Sequence, residues 1–115
     1  MRAFRLAIPT KGKMGLNDHV SDVFGRAEFF TIIDIKDGSV NNVKIVENPA
    51  STYKHGAGPI VVKTLSDMNV DVVAAGEFGP GVSTLLDYNG IKKVLVEPDM
   101  LVERVIELVL AKFRG

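Results

Sequence analysis

Val70-Asp71-Val72-Val73-Ala74-Ala75-Gly76-Glu77-Phe78-Gly79-Pro80-Gly81 is the stretch that decides the fold of this chain. Val70–Ala75 is an apolar run of strand length, the pattern of a strand covered on both faces. Glu77–Gly81 is a turn, and behind it Val82, Leu85 and Leu86 recur at helical spacing. A buried strand that turns directly into a helix is half of a βαβ unit, and such units build parallel sheets. Asn89-Gly90 stops the helix, and Ile91 to Val96 supplies the next strand.

The same logic extends in both directions. Downstream, Pro98-Asp99 opens a final helix whose stripe Leu101, Val102, Val105, Ile106, Val109 and Phe113 keeps a helical period. Upstream, Ile60, Val61, Leu65 and Met68 give a helix from about Pro59 to Asn69, which feeds the Val70 strand. Before it, Glu28 to Ile35 and Val40 to Val46 form a hairpin around the tight turn Asp37-Gly38. Phe4 to Pro9 is a short buried strand bounded by proline. The order is β-β-β-α-β-α-β-α: a hairpin, then two right-handed crossovers. This predicts one α/β domain over residues 1–115, with strand order 3-2-1-4-5 and the second strand antiparallel.

That topology has a switch point between the first and fourth strands, and open α/β sheets bind ligands there, beyond the carboxyl ends of the strands. Every unusual stretch lands on that edge. The long loop Thr10–Val23 leaves the first strand there, and loops of this length are usually functional or mobile. Phe24-Gly25-Arg26 enters the second strand, Tyr53-Lys54-His55-Gly56-Ala57-Gly58-Pro59 leaves the third, and Glu77–Gly81 leaves the fourth. Glycines at 56, 58 and 79 let backbone approach a ligand closely. Two helix N-termini, each opened by Gly-Pro, offer unpaired N–H groups and positive dipole ends. With Lys11, Arg26 and His55 flanking the crevice, the expected ligand is small and anionic.

Composition narrows the chemistry. The 115 residues carry 46% hydrophobic and 24% charged side chains, a globular balance. Fourteen basic residues offset fourteen acidic ones, which argues against a general nucleic-acid binder. No cysteine is present, which removes disulfides, zinc fingers, thiol catalysis and thiolate-held clusters. No apolar run approaches the roughly 20 residues of a membrane span, and the N-terminus lacks a signal-peptide core, so a cytoplasmic location is expected.

Three segments carry a resemblance: Phe24-Gly25-Arg26-Ala27-Glu28-Phe29-Phe30, His55-Gly56-Ala57-Gly58 and Val72-Val73-Ala74-Ala75-Gly76-Glu77-Phe78-Gly79-Pro80. In this order and spacing, across Ala7 to Leu110, the chain resembles the dinitrogenase iron–molybdenum cofactor biosynthesis family, which includes NifX and the C-terminal domain of NifB. The resemblance implies an RNase H-like, three-layer α/β/α fold with a five-stranded mixed sheet. It implies a non-catalytic protein that binds and carries an iron–sulfur or iron–molybdenum-type cluster, with cofactor donor or acceptor proteins as partners. Phe24, Gly25, Arg26, His55, Gly56, Gly58 and Gly79 would then line the cofactor site, with His55 as metal ligand and Arg26 as charge partner. Relatives often place a histidine immediately before the Phe-Gly pair; here Val23 stands there, and His19 lies elsewhere in the loop.

Plainer roles compete at each position. His55 and His19 suit solvated loop residues, Lys11 and Lys13 solubility charges, and Phe24 a core plug under the loop. A nuclease on this fold needs clustered carboxylates, and Phe4–Ile8 carries none. The second functional reading is a mononucleotide- or phosphate-binding regulatory module. Gly56-Ala57-Gly58 with Glu77 about 20 residues on is a partial dinucleotide fingerprint that lacks the third glycine.

Overall fold

A computed structural model describes residues 2–113. The strands are β1 (Ala3–Thr10), β2 (Phe29–Lys36), β3 (Ser39–Glu47), β4 (Val72–Ala75) and β5 (Lys92–Leu95). The helices are α1 (Ala57–Asp67), α2 (Pro80–Tyr88) and α3 (Val102–Lys112), with a short 3-10 turn at Gly15–Asn17. The sheet order is β3-β2-β1-β4-β5, as the sequence predicts. β1 and β3 run antiparallel to β2, while β4 pairs parallel with both β1 and β5. The hairpin turns on Asp37 and Gly38, both at positive φ (51° and 79°), the backbone that matches strand twist.

Alternation along the strands builds two cores. Ala7, Ile32, Val73 and Ala75 face α1 and α2, meeting Val61, Leu65 and Leu86. Leu6, Ile8, Ile33, Val72, Ala74 and Val94 face α3, meeting Val102, Val105 and Val109. Both crossovers step the same way across the sheet, so one rule of handedness sends α1 and α2 to one face. α3 then covers the other, and the result is three layers. No helix among the described residues is long and apolar enough to cross a membrane. The edge strand β5 is fastened by Lys93, whose Nζ donates to Ser83 Oγ (2.6 Å) and pairs with Asp87 (2.9 Å).

Two expectations change. The final helix begins at Val102, not at Pro98-Asp99. Asp99 sits at φ 69°, and its N–H donates to the Val20 carbonyl, so this segment pairs with the long loop instead of coiling. The Thr10–Val23 loop is correspondingly fixed. Val20 N–H donates to Met100 O (2.8 Å), Val102 N–H to Asp18 O (2.9 Å) and Ser21 N–H to Pro9 O (2.8 Å). Buried Asp18 closes the inside of the loop, its carboxylate accepting the N–H groups of Met14 (2.9 Å) and His19 (2.8 Å).

Candidate functional site

The carboxyl ends of β1, β3 and β4 bring three segments into direct contact. A Cβ built on Gly25 would stand 3.3 Å from the Gly58 amide nitrogen and 3.6 Å from Ala57 Cβ, so the 24–26 loop lies against the first turn of α1. A Cβ on Gly58 would stand 2.6 Å from Val82 Cγ2, so the first turns of α1 and α2 also touch. Phe24 packs on Phe78 with ring centroids 5.6 Å apart. Loop, α1 mouth and α2 mouth therefore form one continuous rim.

Neither helix mouth is closed by its own side chains. Gly56 precedes α1 in the left-handed region (φ 75°), which a side chain would strain by about 1–2 kcal/mol. No side chain caps it, and the Ala57 and Gly58 N–H groups have no acceptor among the described residues. Gly79 precedes α2 in extended backbone, again without a side-chain cap, and Pro80 takes the first helical position. Space beside Gly79 and Gly81 is open within 4 Å of where a Cβ would stand.

The predicted site residues divide. His55 is exposed and makes no hydrogen bond or ion pair among the described residues, so its imidazole is free at the α1 mouth. Arg26 is exposed and likewise unpaired, in contrast to Arg5 at the opposite edge, which spends its guanidinium on Asp34 (2.7 Å) and the Met68 carbonyl. Gly25, Gly56, Gly58 and Gly79 all sit on the rim. Phe24 does not face it: the ring is 3% exposed and stacks edge-on against Phe30, so it acts as the plug under the loop. His19 pairs its backbone with Lys11 and with Leu101, the residue that precedes α3.

Lys11 is committed to Asp99 at 2.9 Å. Their hydrogen bond holds the Asp99 carboxyl below its ordinary 3.8 and the Lys11 ammonium above its ordinary 10.5. The pair's contribution is therefore present at neutral pH. It is lost as acid carries pH down through the lowered Asp99 value, and as base carries it up through the raised Lys11 value. Both groups are solvated, so salt should erase the effect. An Asp99→Asn variant should unfold with a flatter pH profile than wild type in low salt, and with the same profile in high salt, by thermal melts.

One residue with a large role escapes sequence reasoning. Asn48 is 5% exposed, and its Nδ2 donates to the carbonyls of Gly25 (2.9 Å) and Ala27 (2.8 Å). Its Oδ1 accepts the Ala50 N–H (2.9 Å), so one amide ties the glycine loop to the chain that leads into α1. The dipeptide Asn48-Pro49 signals a turn, but no local signal reveals bonds spanning more than twenty residues.

The donor set has a definite chemistry. Among the described residues no group of three His, Asp or Glu side chains is placed to hold a metal ion. A single imidazole does not fill the coordination sphere of a bare ion. One imidazole, unspent amides at a helix mouth and a free guanidinium do suit a preassembled anionic particle that brings its own ligands.

These features define a class: a small three-layer α/β/α protein with a glycine-lined rim across two helix mouths. The dinitrogenase iron–molybdenum cofactor family model matches residues 4–112, and the chain belongs to that family. Among solved structures, the apo form of the orange protein from Desulfovibrio gigas is similar, with TM-score 0.84 and 28% identity over 94% of this chain and 88% of that one. A provisionally assigned NifB protein of the DUF35 family from Thermotoga, TM1290, has TM-score 0.71 and 33% identity over 96% and 90%. MJ0580, an uncharacterized protein of Methanocaldococcus jannaschii, is 29% identical over 79% of this chain and 73% of its own length. The family match and the NifB-titled neighbour agree with the resemblance read from the three sequence segments.

Proposed function

We propose that this chain is a non-catalytic carrier for an iron–sulfur cofactor of the iron–molybdenum type, or for its precursor, in cytoplasmic cluster assembly. The observation that carries the reading is the contact of the Gly25 loop with the uncapped α1 mouth, beside a free His55. The cluster is cargo. His55 would supply one ligand to an exposed metal, the Ala57 and Gly58 amides would donate to its sulfur or oxygen shell, and Arg26 would balance its charge. Family membership supports the choice of cargo, and donor and acceptor proteins would exchange it at this exposed rim.

Anaerobic titration with a cluster donor tests this. His55→Ala should weaken binding about tenfold or more, and Arg26→Gln should weaken it by less. Equal binding by wild type and His55→Ala would remove His55 from the site. A second reading, a mononucleotide- or phosphate-binding regulatory module, draws on the same uncapped amides. It would be favoured if wild type failed to take up cluster yet gained thermal stability with a mononucleotide.

A further inference from the structure

We infer that the trough beside Arg26 is a second ligand site, for a small zwitterion of the amino-acid class. Two grooves, of about 380 and 360 Å³, lie at the carboxyl ends of β1 and β3 and share Glu28 as a wall. Their chemistry differs. Arg26 and Ser21 line the first, with Asp22; Glu28 and Glu47 line the second, with the hydroxyls of Ser51 and Thr52. Register pairs Phe29 with Glu47 at the end of β3, and the carbonyl of Glu28, just before β2, accepts the Asn48 N–H at 2.9 Å, so the two glutamates flank one groove.

The first groove is built to receive a carboxylate. Ser21 is 9% exposed, and its Oγ accepts the Val23 N–H at 3.3 Å. Its own proton meets no acceptor among the described residues, which leaves one O–H donor unspent on the groove wall. Beside it, the Arg26 guanidinium is unpaired, and a planar fork of this kind holds a carboxylate through two parallel hydrogen bonds. Lys11 adds little, because Asp99 already holds it.

The second groove offers the opposite charge. The side chains of Glu28 and Glu47 make no ion pair or hydrogen bond among the described residues, and neither does that of Asp22 in the first groove. The charges of the trough that nothing else engages are therefore Arg26, Glu28 and Glu47, while Asp22 lies in the field of Lys11. A bare anion lying along the trough would face Glu28 and Glu47, and a bare cation would leave Arg26 and Ser21 unused. A molecule with a carboxylate at one end and an ammonium at the other satisfies both grooves, and a further positive charge is favourable. Lysine-type amino acids fit this pattern best.

This site shares Arg26 with the carrier reading, whereas Ser21, Glu28 and Glu47 belong to it alone. The test is an NMR shift titration of the whole chain with lysine, glycine, cadaverine, which has no carboxylate, and N-acetylglycine, which has no ammonium. Expected are shifts confined to residues 10–11, 21–28 and 47–52, with a dissociation constant for lysine on the order of 1 mM. Lysine should bind about fivefold tighter than glycine. Cadaverine should bind about tenfold weaker than lysine, and N-acetylglycine about tenfold weaker than glycine. Arg26→Gln should bring lysine down to the cadaverine level, and Glu28→Gln with Glu47→Gln should remove the preference for lysine over glycine. The Glu47→Gln protein should keep its cluster titration unchanged, which separates this inference from the carrier reading. Cadaverine binding as tightly as lysine would make the trough a surface for basic segments instead. N-acetylglycine matching glycine would make it a simple anion site, and no shift with any compound would remove the site.

Discussion

Replacing Asn48 with alanine should lower stability by about 3 kcal/mol and release the loop that forms one wall of the site. The side chain satisfies one buried carbonyl, one part-buried carbonyl and one N–H at 2.8–2.9 Å, and alanine satisfies none. Each orphaned group costs about 1–3 kcal/mol when water is excluded, and water admitted at the rim should recover part of that. For a domain of this size the loss is a fall in melting temperature of roughly 10–20 °C. Asn48→Asp separates hydrogen bonding from shape. It keeps the acceptor for Ala50 but aims a carboxylate oxygen at the carbonyls of Gly25 and Ala27. Its folded pKa should rise above the unfolded value of about 3.9. A raised carboxyl pKa favours the protonated folded form, so this variant should gain stability as pH falls through that raised value. Chemical denaturation across pH reads both effects. A loss under about 1 kcal/mol for Asn48→Ala would show that the loop is held by Phe24 packing alone.

Asn48 also illustrates what was legible in the sequence. Periodicity carried the fold. Val72–Ala75 must be covered on both sides, Asp37-Gly38 must turn a hairpin, and Val102, Val105 and Val109 must face one core, so strand order and layers followed. Pro98-Asp99 has the composition of a helix start, yet the final helix begins at Val102. The backbone of Asp99 and Met100 instead pairs with Val20, a partner far away in sequence that local propensity does not register. The long loop is expected to be functional or mobile because it is rich in Gly, Asn, Asp and Lys. Asp18 fixes it from inside, a role that an Asp between a 3-10 turn and a bridge can fill. Of the candidate site, the glycines were readable because backbone approach demands them. Side-chain direction was readable only in part: the core-plug reading of Phe24 holds at 3% exposure, while nothing local shows that Arg26, just beyond Gly25, meets solvent unpaired.

Gly58→Ala should change sign with the residue opposite it. In the wild-type background the new methyl would stand 2.6 Å from Val82 Cγ2, closer than packed carbons approach. Val82 is β-branched, half-buried and in the first turn of α2, so it has little rotamer freedom to retreat. The two helix mouths must then separate, at an overpacking cost of about 2 kcal/mol. In a Val82→Ala background the obstruction is gone. Alanine in a helix is more favourable than glycine by about 1 kcal/mol at interior positions, less in the first turn, so the same substitution should now be neutral to stabilising. The coupling between positions 58 and 82 should therefore be about 2 kcal/mol, well above the few tenths expected of independent sites. If Gly58→Ala destabilises equally in both backgrounds, the first turns of α1 and α2 do not touch as described. The same pair of proteins bears on function. Forcing the mouths apart in Gly58→Ala should weaken cluster uptake along with stability, whereas Gly58→Ala/Val82→Ala should match Val82→Ala in stability and regain uptake, because the Ala57 and Gly58 amides regain their place beside Gly25. Restored stability without restored uptake would mean that Val82 itself, not the spacing of the mouths, contacts the cargo.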